Sequence, residues 1–360
     1  MRHTPSRLAF LAASISCAIS ACTSADWVGS APSSAAPPSP SAVGAKTTEA
    51  ASHGPTEKAG WSALVGTCAG GPQRLEDFLA VVVVDGCRVL SSSGQILSLG
   101  LATATYRLGS LIAYDAPQLA WSGGRAWVAG QPGPGSPVRM ESLGPDGPFA
   151  ITVPDAGGPS VLAADESGVA LAAASDQGEE RAWVVLIDPA TSTVRTKGEF
   201  DGQPDSLATM GGTVAMTAHS QQGAAVLVGS PSSLRAHPID PHDLVVGIDL
   251  DGNVVTVTLT QIDSTGVPSN GYVVLSQDRG ATWRVQSLPP GEVTSVIHRA
   301  DRWIEAGVPI GGSLIAKSTD LAHWEAVDLG FKGESPRLIR RGNTVWATSS
   351  RQTVLVLDDQ

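Results

Sequence analysis

The strongest structural signal in the chain is an eight-residue segment, Ser276-Gln277-Asp278-Arg279-Gly280-Ala281-Thr282-Trp283. A degenerate copy, Ser318-Thr319-Asp320-Leu321-Ala322-His323-Trp324, begins 42 residues later. Asp and Ser side chains accept hydrogen bonds from turn amides, glycine tolerates a positive φ, and tryptophan packs onto neighbouring strands. The two segments therefore predict a repeated turn between strands at a fixed period.

Apolar hairpins recur through the chain at a similar period. Seven short apolar runs are each interrupted by Gly, Asp or Asp-Gly, at positions 86, 124, 168, 212, 252, 301 and 342. Such residues suit tight hairpin loops. A short four-stranded sheet cannot cover both of its faces, but a ring of such sheets can. The pattern predicts an all-β ring of four-stranded antiparallel sheets, seven by this count, with six or eight as alternatives.

The end of the chain predicts how the ring closes. Residues 352–357 offer a third strand for the last sheet, and the sequence then ends. A segment from the N-terminal side, around Trp61 to Val65, is predicted to supply the outer strand of that sheet.

The first segment matches the pattern Ser-x-Asp-x-Gly-x-Thr-Trp and so resembles the Asp-box of the bacterial neuraminidase (BNR) repeat, found in sialidase-like β-propellers. The resemblance implies a β-propeller and a structural role for the turn, on the side of the blade away from the active centre. It assigns that role to Ser276, Asp278, Gly280, Thr282 and Trp283, and in the copy to Ser318, Asp320 and Trp324. Because Asp-boxes occur in catalytic and non-catalytic propellers alike, the resemblance does not by itself imply an enzyme.

The catalytic set of sialidases is not recognisable in the sequence. Those enzymes use a Tyr nucleophile paired with Glu, an Asp acid/base and three Arg that hold the sugar carboxylate. The Arg-Ile-Pro segment of the family is absent, and the tyrosines are Tyr106, Tyr114 and Tyr272. Tyr272 precedes the first segment, on a strand away from the propeller axis. A divergent sialidase-type glycoside hydrolase is therefore the alternative to a non-catalytic binding platform.

The first 21 residues have the features of an export signal. Arg2, His3 and Arg7 precede a short apolar stretch, Leu8–Ile19. The following Ile19-Ser20-Ala21-Cys22 resembles a bacterial lipobox, which implies that Cys22 receives lipid, palmitate among its acyl chains, and becomes the mature N-terminus. Two acyl chains give stable anchoring, so the expected location is the extracytoplasmic side of the cell membrane. The alternative is an ordinary secretory signal with an incidental cysteine.

The next segment, residues 22–59, is rich in Ser, Ala, Pro and Thr. Nothing in it can bury a core, so it is expected to be a flexible linker. The propeller is then predicted to span residues 60–360. Its two cysteines, Cys68 and Cys87, predict one disulfide in an exported domain; two buried free thiols are the alternative.

The net charge and the polar clusters indicate which classes of partner the chain can bind. The net charge is −11, and an acidic surface repels phosphate backbones, which argues against nucleic acid. No motif in the chain calls for a cofactor. His237, Asp240 and His242 form the densest ligand-type cluster, but the prolines between them indicate a loop, so they are only weak metal candidates.

The segment Asp249-Leu250-Asp251-Gly252-Asn253 does not follow the EF-hand spacing and is predicted to be a hairpin turn. Taken together, the sequence predicts a lipid-anchored, non-catalytic propeller that binds a protein or an envelope glycan.

Overall fold

The computed structural model describes part of the unit His53–Gln360. The described residues are 62–63, 73–74, 81–85, 88–91, 96–98, 115–133, 135–143, 149–153, 156–175, 181–262, 268–309, 315–327, 337–341, 344–348 and 353–358. The signal peptide (1–21), Cys22, the linker (22–59), Cys68 and Cys87 lie outside them and stay predictions. Within the described stretches, no helix has the length and apolar character needed to cross a membrane.

Most described residues lie in β-strands. Their bounds are Ser62–Ala63 (β1), Gln73–Arg74 (β2), Val81–Asp85 (β3), Arg88–Ser91 (β4), Ile96–Ser98 (β5), Asp115–Ser122 (β6), Arg125–Gln131 (β7), Arg139–Leu143 (β8), Phe149–Thr152 (β9), Ala156–Ala164 (β10), Val169–Ser175 (β11), Arg181–Asp188 (β12), Thr193–Asp201 (β13), Gln203–Met210 (β14), Thr213–Ser220 (β15), Gly223–Ser230 (β16), Ser233–Ile239 (β17), Leu244–Asp251 (β18), Val254–Ile262 (β19), Pro268–Ser276 (β20), Arg284–Ser287 (β21), Gly291–Arg299 (β22), Arg302–Pro309 (β23), Ile315–Ser318 (β24), Glu325–Val327 (β25), Arg337–Arg341 (β26), Thr344–Thr348 (β27) and Thr353–Asp358 (β28).

The strands pair in chain order into antiparallel sheets. Sheet one is β3–β5, sheet two β6–β9, sheet three β10–β13, sheet four β14–β17, sheet five β18–β21, sheet six β22–β25 and sheet seven β26–β28. Sheets two to six have four strands each, and one parallel bridge, Asn270 to Gly291, joins sheets five and six. The predicted all-β fold of four-stranded antiparallel sheets is confirmed.

The first strands of the sheets lie side by side in a ring. In the described part of the chain, each first strand contacts the first strand of the next sheet, and β26 returns to β3. Sheets arranged around such a ring form a β-propeller, in which neighbouring sheets cover each other's faces. The blade number stays a prediction, because residues 99–114, between sheets one and two, lie outside the described residues.

The last sheet is completed from the N-terminal side, as predicted. The strand β1 pairs antiparallel with β28, with Ser62 opposite Asp358 and Ala63 opposite Leu357. A second short strand that the sequence did not reveal, β2, pairs with the other end of β28 at Thr353 and Val354. Pairing of β1 and β2 with β28 protects the edge of β28 and holds the ring closed.

The hairpins between first and second strands lie where the sequence predicts them. The described ones are centred near 124, 168, 212, 252 and 301. Gly123 and Gly124 both have positive φ, 60° and 73°, and Gly252 has a φ of 60°. At sheet six the corresponding place is taken by Ala300, with a φ of 54°, a conformation that costs more without glycine.

Alternate residues of the central strands face the two neighbouring sheets. In β11, Leu171 and Ala173 pack with sheet two, whereas Ala170 and Ala172 pack against sheet four. These side chains are at most 1% exposed. Since both faces of a middle strand are covered, β11 is a continuous apolar run rather than an alternating one.

The first strands of sheets two to six each have a bulge near their start, and backbone amides of first strands also bond to side chains of the preceding sheet. The pairing register shifts in β6, β10, β14, β18 and β22. The amide of Val296 donates to Thr258 Oγ1 of the preceding sheet (3.1 Å), and that of Leu338 donates to Ser295 Oγ (2.9 Å). These two hydrogen bonds help to join neighbouring sheets along the ring.

Candidate functional site

The first strands line a central channel with a cavity of about 400 Å³. Its walls are formed by residues 118–121 of β6, 161–164 of β10, 205–209 of β14, 246–250 of β18, 295–297 of β22 and 337–340 of β26. Side chains from six sheets converge at this channel, and its polar groups include Asp205, Asp249 and Arg340.

A buried charged cluster joins three consecutive sheets beside this channel. Arg340 of β26 donates from Nε to Asp249 Oδ1 (3.2 Å) and from Nη1 to Asp251 Oδ1 (2.7 Å). His298 of β22 lies 2.8 Å from Asp251 Oδ2 through Nδ1, and its backbone amide donates to Asp249 Oδ2 (3.0 Å). The ring of His298 also contacts that of Trp303, with centroids 4.8 Å apart.

The two carboxylates of this cluster differ in environment. Asp249 is 7% exposed, and burial raises its pKa, with the Arg340 charge opposing the effect. Burial acts in the same direction on Asp251, but the hydrogen bond from His298 and the Arg340 charge outweigh it and lower the Asp251 pKa. The cluster satisfies its own charges, so its clearest role is to fix sheets five, six and seven relative to one another.

A second carboxylate–histidine pair lies in sheet four. Asp205 of β14 lines the channel, and its Oδ1 is 2.8 Å from His219 Nδ1 of β15. Burial raises the pKa of Asp205, although the hydrogen bond and charge of His219 act against it. The pair gives the channel one titratable carboxylate outside the charged cluster.

A second cavity, of about 590 Å³, lies in the crevice between sheets four and five. We call it the Tyr272 crevice; its walls include His237, Asp240, Asp243 and Tyr272. The Tyr272 hydroxyl donates a short hydrogen bond to Asp243 Oδ2. Burial, together with the bond to Asp243, raises the pKa of Tyr272 well above its ordinary value, so the phenol stays protonated.

The weak metal candidates do not converge. His237 and Asp240 line the Tyr272 crevice but His242 does not. Asp240 Oδ1 instead accepts the backbone amide of His242 (2.9 Å), and the His237 ring stacks on Trp283 at 4.8 Å with an angle of 11°. Among the described residues, no group of three or more His, Cys, Asp or Glu is placed to hold an ion.

Ser276–Trp283, which we call the first Ser-Asp turn, connects β20 to β21 and is held by its own side chains. Asp278 accepts the Thr282 amide (2.8 Å) and hydroxyl (2.6 Å), while Ser276 Oγ accepts the Gly280 amide (2.7 Å). The Thr282 hydroxyl is the main reason that the pKa of Asp278 falls to about 2. Trp283 Nε1 donates to Gly280 O (3.1 Å).

The first Ser-Asp turn also packs onto the preceding sheet. Gly280 has a φ of 81°, and a Cβ at this position would lie 3.2 Å from Val228 Cβ of sheet four. The indole of Trp283 covers His237 of the same sheet. The turn therefore needs glycine both for its conformation and for its packing.

The second Ser-Asp turn, Ser318–Trp324, is one residue shorter and replaces threonine by histidine. His323 donates its amide to Asp320 Oδ1 (2.8 Å) and places Nδ1 2.7 Å from Asp320 Oδ2, the contacts that Thr282 makes in the first turn. The hydrogen bond to His323 lowers the pKa of Asp320 and in turn raises that of His323. Leu321, with a φ of 65°, takes the left-handed position.

Neither the charged cluster nor the pairing of Tyr272 with Asp243 was predicted from the sequence. The hairpin turn predicted at residues 249–253 is present, but the bonds that its carboxylates make to other sheets were not predicted. The available signal was the alternation of Asp249, Leu250 and Asp251, which places both carboxylates on one face of a first strand. Their partners, His298 and Arg340, lie 47 or more residues away, so no local pattern joins them.

No protein-family model matches the chain, and no curated protein matches it. Among solved structures, it is similar to the β-propeller domain of the Trilobed protease from Pyrococcus furiosus, with 9% identity, a TM-score of 0.51 and coverage of 79% of this chain and 93% of that chain. It is also similar to the acylaminoacyl peptidase of Pyrococcus horikoshii, with 10% identity and a TM-score of 0.50 over 78% of this chain and 50% of that chain. BamB from Moraxella catarrhalis aligns with 12% identity and a TM-score of 0.44 over 81% and 99% of the two chains. The likeness to the two Pyrococcus structures concerns the fold, and with the ring of antiparallel sheets it identifies the chain as a β-propeller.

Proposed function

We propose that the protein is a lipid-anchored propeller on the extracytoplasmic side of the cell membrane that binds an envelope glycan or a protein without chemically changing it. The observation that carries the binding role is the Tyr272 crevice. Its cavity of about 590 Å³ lies within the range of small-ligand sites, roughly 300–1,000 Å³.

The side chains of the crevice suit a neutral or basic partner with hydroxyl groups. Asp240 and Asp243 supply acceptor oxygens, and Gln261 and Asn270 supply amides that both donate and accept. Tyr272 adds an aromatic surface with a polar end. The net charge of −11 disfavours an anionic partner. A glycan rich in vicinal hydroxyls is the partner that this set fits best.

Binding of purified envelope polysaccharides to the full-length chain tests the proposal. Tyr272→Phe and Asp243→Asn are expected to weaken binding at least about tenfold, the effect of losing a hydrogen bond to a charged group. Glu199→Gln, at an exposed position of sheet three, is the matched control and should bind as wild type does. If wild type and the three variants bind equally well, the Tyr272 crevice is not the binding site.

A protein partner is the other outcome of the same experiment. A photo-crosslinker at exposed Gln261, used in the living envelope with the same group at Glu199 as control, distinguishes protein from glycan adducts. A defined protein adduct at Gln261 that Asp243→Asn abolishes would favour the protein; adducts of equal yield at both positions would count against the crevice.

The Tyr272–Asp243 hydrogen bond favours a second candidate function, a divergent sialidase-type glycoside hydrolase. A tyrosine beside a carboxylate is the nucleophile arrangement of that class. Burial and Asp243 raise the Tyr272 pKa, however, which opposes formation of the nucleophilic phenolate. Fluorogenic sialosides and other glycosides test this candidate. If the protein hydrolyses one of them and Tyr272→Phe abolishes the activity, the protein is a glycoside hydrolase and the proposal of a non-catalytic binding platform is wrong.

The anchor is proposed from Cys22 alone. Mass spectrometry of the membrane fraction is expected to find a diacylglycerol-modified N-terminal Cys22, and Cys22→Ala should release the chain from membranes. An unmodified Cys22 in membrane-bound protein would contradict the anchor. Thiol counting before reduction tests the predicted bridge between Cys68 and Cys87 in the same sample.

The two Ser-Asp turns are proposed to be structural, as their resemblance to Asp-boxes implies. The supporting observation is that the Ser and Asp side chains of each turn accept several of its backbone amides. Each tryptophan also bonds back to its own turn, and Trp283 stacks on the preceding sheet. Trp283→Ala, compared by chemical denaturation with wild type, should lower the free energy of unfolding. A variant as stable as wild type would refute the structural role.

A further inference from the structure

The most anomalous buried side chain in the described residues is Glu305, in the second strand of sheet six. It is 5% exposed, and its Oε2 atom has no hydrogen-bond partner among the described residues. A carboxyl placed in this way destabilises a fold unless something pairs with it. Its presence therefore calls for a reason other than packing.

Comparison with the other sheets shows that the position is normally apolar. In sheet six, the pair Arg299–Arg302 closes the hairpin between the first and second strands. Glu305 follows Arg302 by three residues. The pairs that close the corresponding hairpins of sheets two, four, five and seven define the equivalent positions. These are Val128, Met216, Val257 and Ala347, each at most 1% exposed. Sheet six alone among these five has a carboxyl there.

A cavity of about 520 Å³ lies beside Glu305, between the outer edge of sheet five and sheet six. We call it the Glu305 pocket. Leu288, Ile315, Leu321 and Trp324 form apolar walls. The room itself comes from small residues on sheet six and the second Ser-Asp turn, namely Gly307, Ala316, Ala322 and Ala326.

The register places the Glu305 side chain on the face of sheet six that carries this pocket. Glu305 pairs with Ala316, and Ala316 pairs with Ala326, so the three share one face. Glu305 is the only titratable residue among the described residues that line the pocket. Lys317 and Glu325 pair with each other at 3.3 Å on the alternate face, and His298 is engaged with Asp251.

We propose that the Glu305 pocket binds an organic ammonium group on a short apolar stem, with the Glu305 carboxylate as its counter-ion. The apolar walls accommodate the stem, and a cation is the group that the buried, unpartnered carboxylate lacks. The Trp324 indole adds an aromatic surface, which suits a cation as well. The ammonium group can belong to a free amine or to a lysine side chain of a bound peptide.

This site is separate from the Tyr272 crevice, which lies between sheets four and five. If the Glu305 pocket does not bind an ammonium group, the proposed function of the Tyr272 crevice is unaffected. If the Tyr272 crevice does not bind a glycan or a protein, the proposal for the Glu305 pocket is equally unaffected. A neutral hydroxyl compound of the same shape is the strictest comparison, because it fills the same volume and donates a hydrogen bond but carries no charge.

The test is titration of the full-length protein in detergent with n-butylammonium, with 1-butanol as the neutral match, in a buffer free of amines. Tryptophan fluorescence and calorimetry report binding. Saturable binding of butylammonium, with 1-butanol at least about tenfold weaker, is expected. Glu305→Gln should reduce butylammonium binding at least about tenfold, since it removes the charge and keeps the shape.

A second variant, Glu305→Met, controls for loss of folding. Methionine is the buried residue that sheet four has at the equivalent position, so this variant is expected to fold. It should melt no lower than wild type and bind neither probe better than Glu305→Gln does. Equal binding of butylammonium and 1-butanol by wild type, or unchanged butylammonium binding by Glu305→Gln, would overturn the proposal. An acetylated, amidated tripeptide Gly-Lys-Gly that binds more tightly than butylammonium would assign the source to a peptide, and weaker binding would assign it to a free amine.

Discussion

The buried carboxyl of Glu305 makes a quantitative prediction about stability and pH. Burial raises the Glu305 pKa from its ordinary value of 4.5 to about 7. Between these two values the folded protein keeps a proton that the unfolded chain has lost. The folded state therefore binds more protons than the unfolded state, and stability must fall as the pH rises through this window.

The size of the effect follows from the two pKa values. Each tenfold change in a proton equilibrium corresponds to ~1.4 kcal/mol, and Glu305 is 5% exposed, so solvent screens it little. Ionisation of Glu305 should therefore lower the free energy of unfolding by ~3 kcal/mol. This decrease should develop progressively between about pH 4 and pH 8. The loss should level off above pH 8, because the carboxyl is then ionised in both states.

Urea unfolding of wild type and Glu305→Gln across this range isolates the effect. Other carboxylates titrate in both proteins and cancel in the difference, whereas glutamine does not titrate. The difference in free energy of unfolding, variant minus wild type, should grow by ~3 kcal/mol from pH 4 to pH 8. A difference that stays flat would show that Glu305 ionises normally, and the reasoning from burial would be refuted. Saturating butylammonium should remove most of the growth, because it stabilises the ionised form.

Three further outcomes test other parts of the structure. Arg340→Met removes the cation that Asp249 and Asp251 share and leaves them, among the described residues, only the bonds to His298. It should lower the free energy of unfolding in urea by ~3–5 kcal/mol. A loss no larger than that of a typical surface substitution would contradict the role of the cluster in holding the sheets together. Gly280→Ala should lower the melting temperature more than Gly252→Ala, because both have positive φ but only Gly280 has a neighbour within reach of a Cβ; equal shifts would mean that packing plays no part. Asp320→Asn should bring the pKa of His323 down towards 6.5 in an NMR titration, since Asp320 is what raises it, and an unchanged value would contradict the hydrogen bond.

The ring and its turns were predictable because they depend on local patterns. Gly252 and the other hairpin glycines mark turns through their own conformational freedom, and alternating apolar runs mark strands between them. The spacing of Ser276 and Ser318 supplied the period. Pairing of residues near Trp61 with the C-terminal strand was also predictable, because the last sheet needed an outer strand.

The candidate sites were not predictable, because their residues meet only across sheets. Tyr272 and Asp243 are 29 residues apart, and Asp251 and His298 are 47 apart. A sequence pattern reports the period of one strand or one turn, not which strands become neighbours. His237, Asp240 and His242 are close in sequence and were only weak metal candidates; among the described residues they do not come together around one point.

By itself the sequence determined the class of fold and the turns, since both follow from short-range chemistry; the anchor at Cys22 stays a prediction. Tertiary structure alone decided that Arg340 closes a buried ion cluster, that Tyr272 faces Asp243 and that Glu305 lies beside an apolar cavity. The physical reason is that solvation depends on what surrounds a side chain. A glutamate in a strand is ordinary, and only packing of sheet six against sheet five removes its water and gives Glu305 a need for a partner.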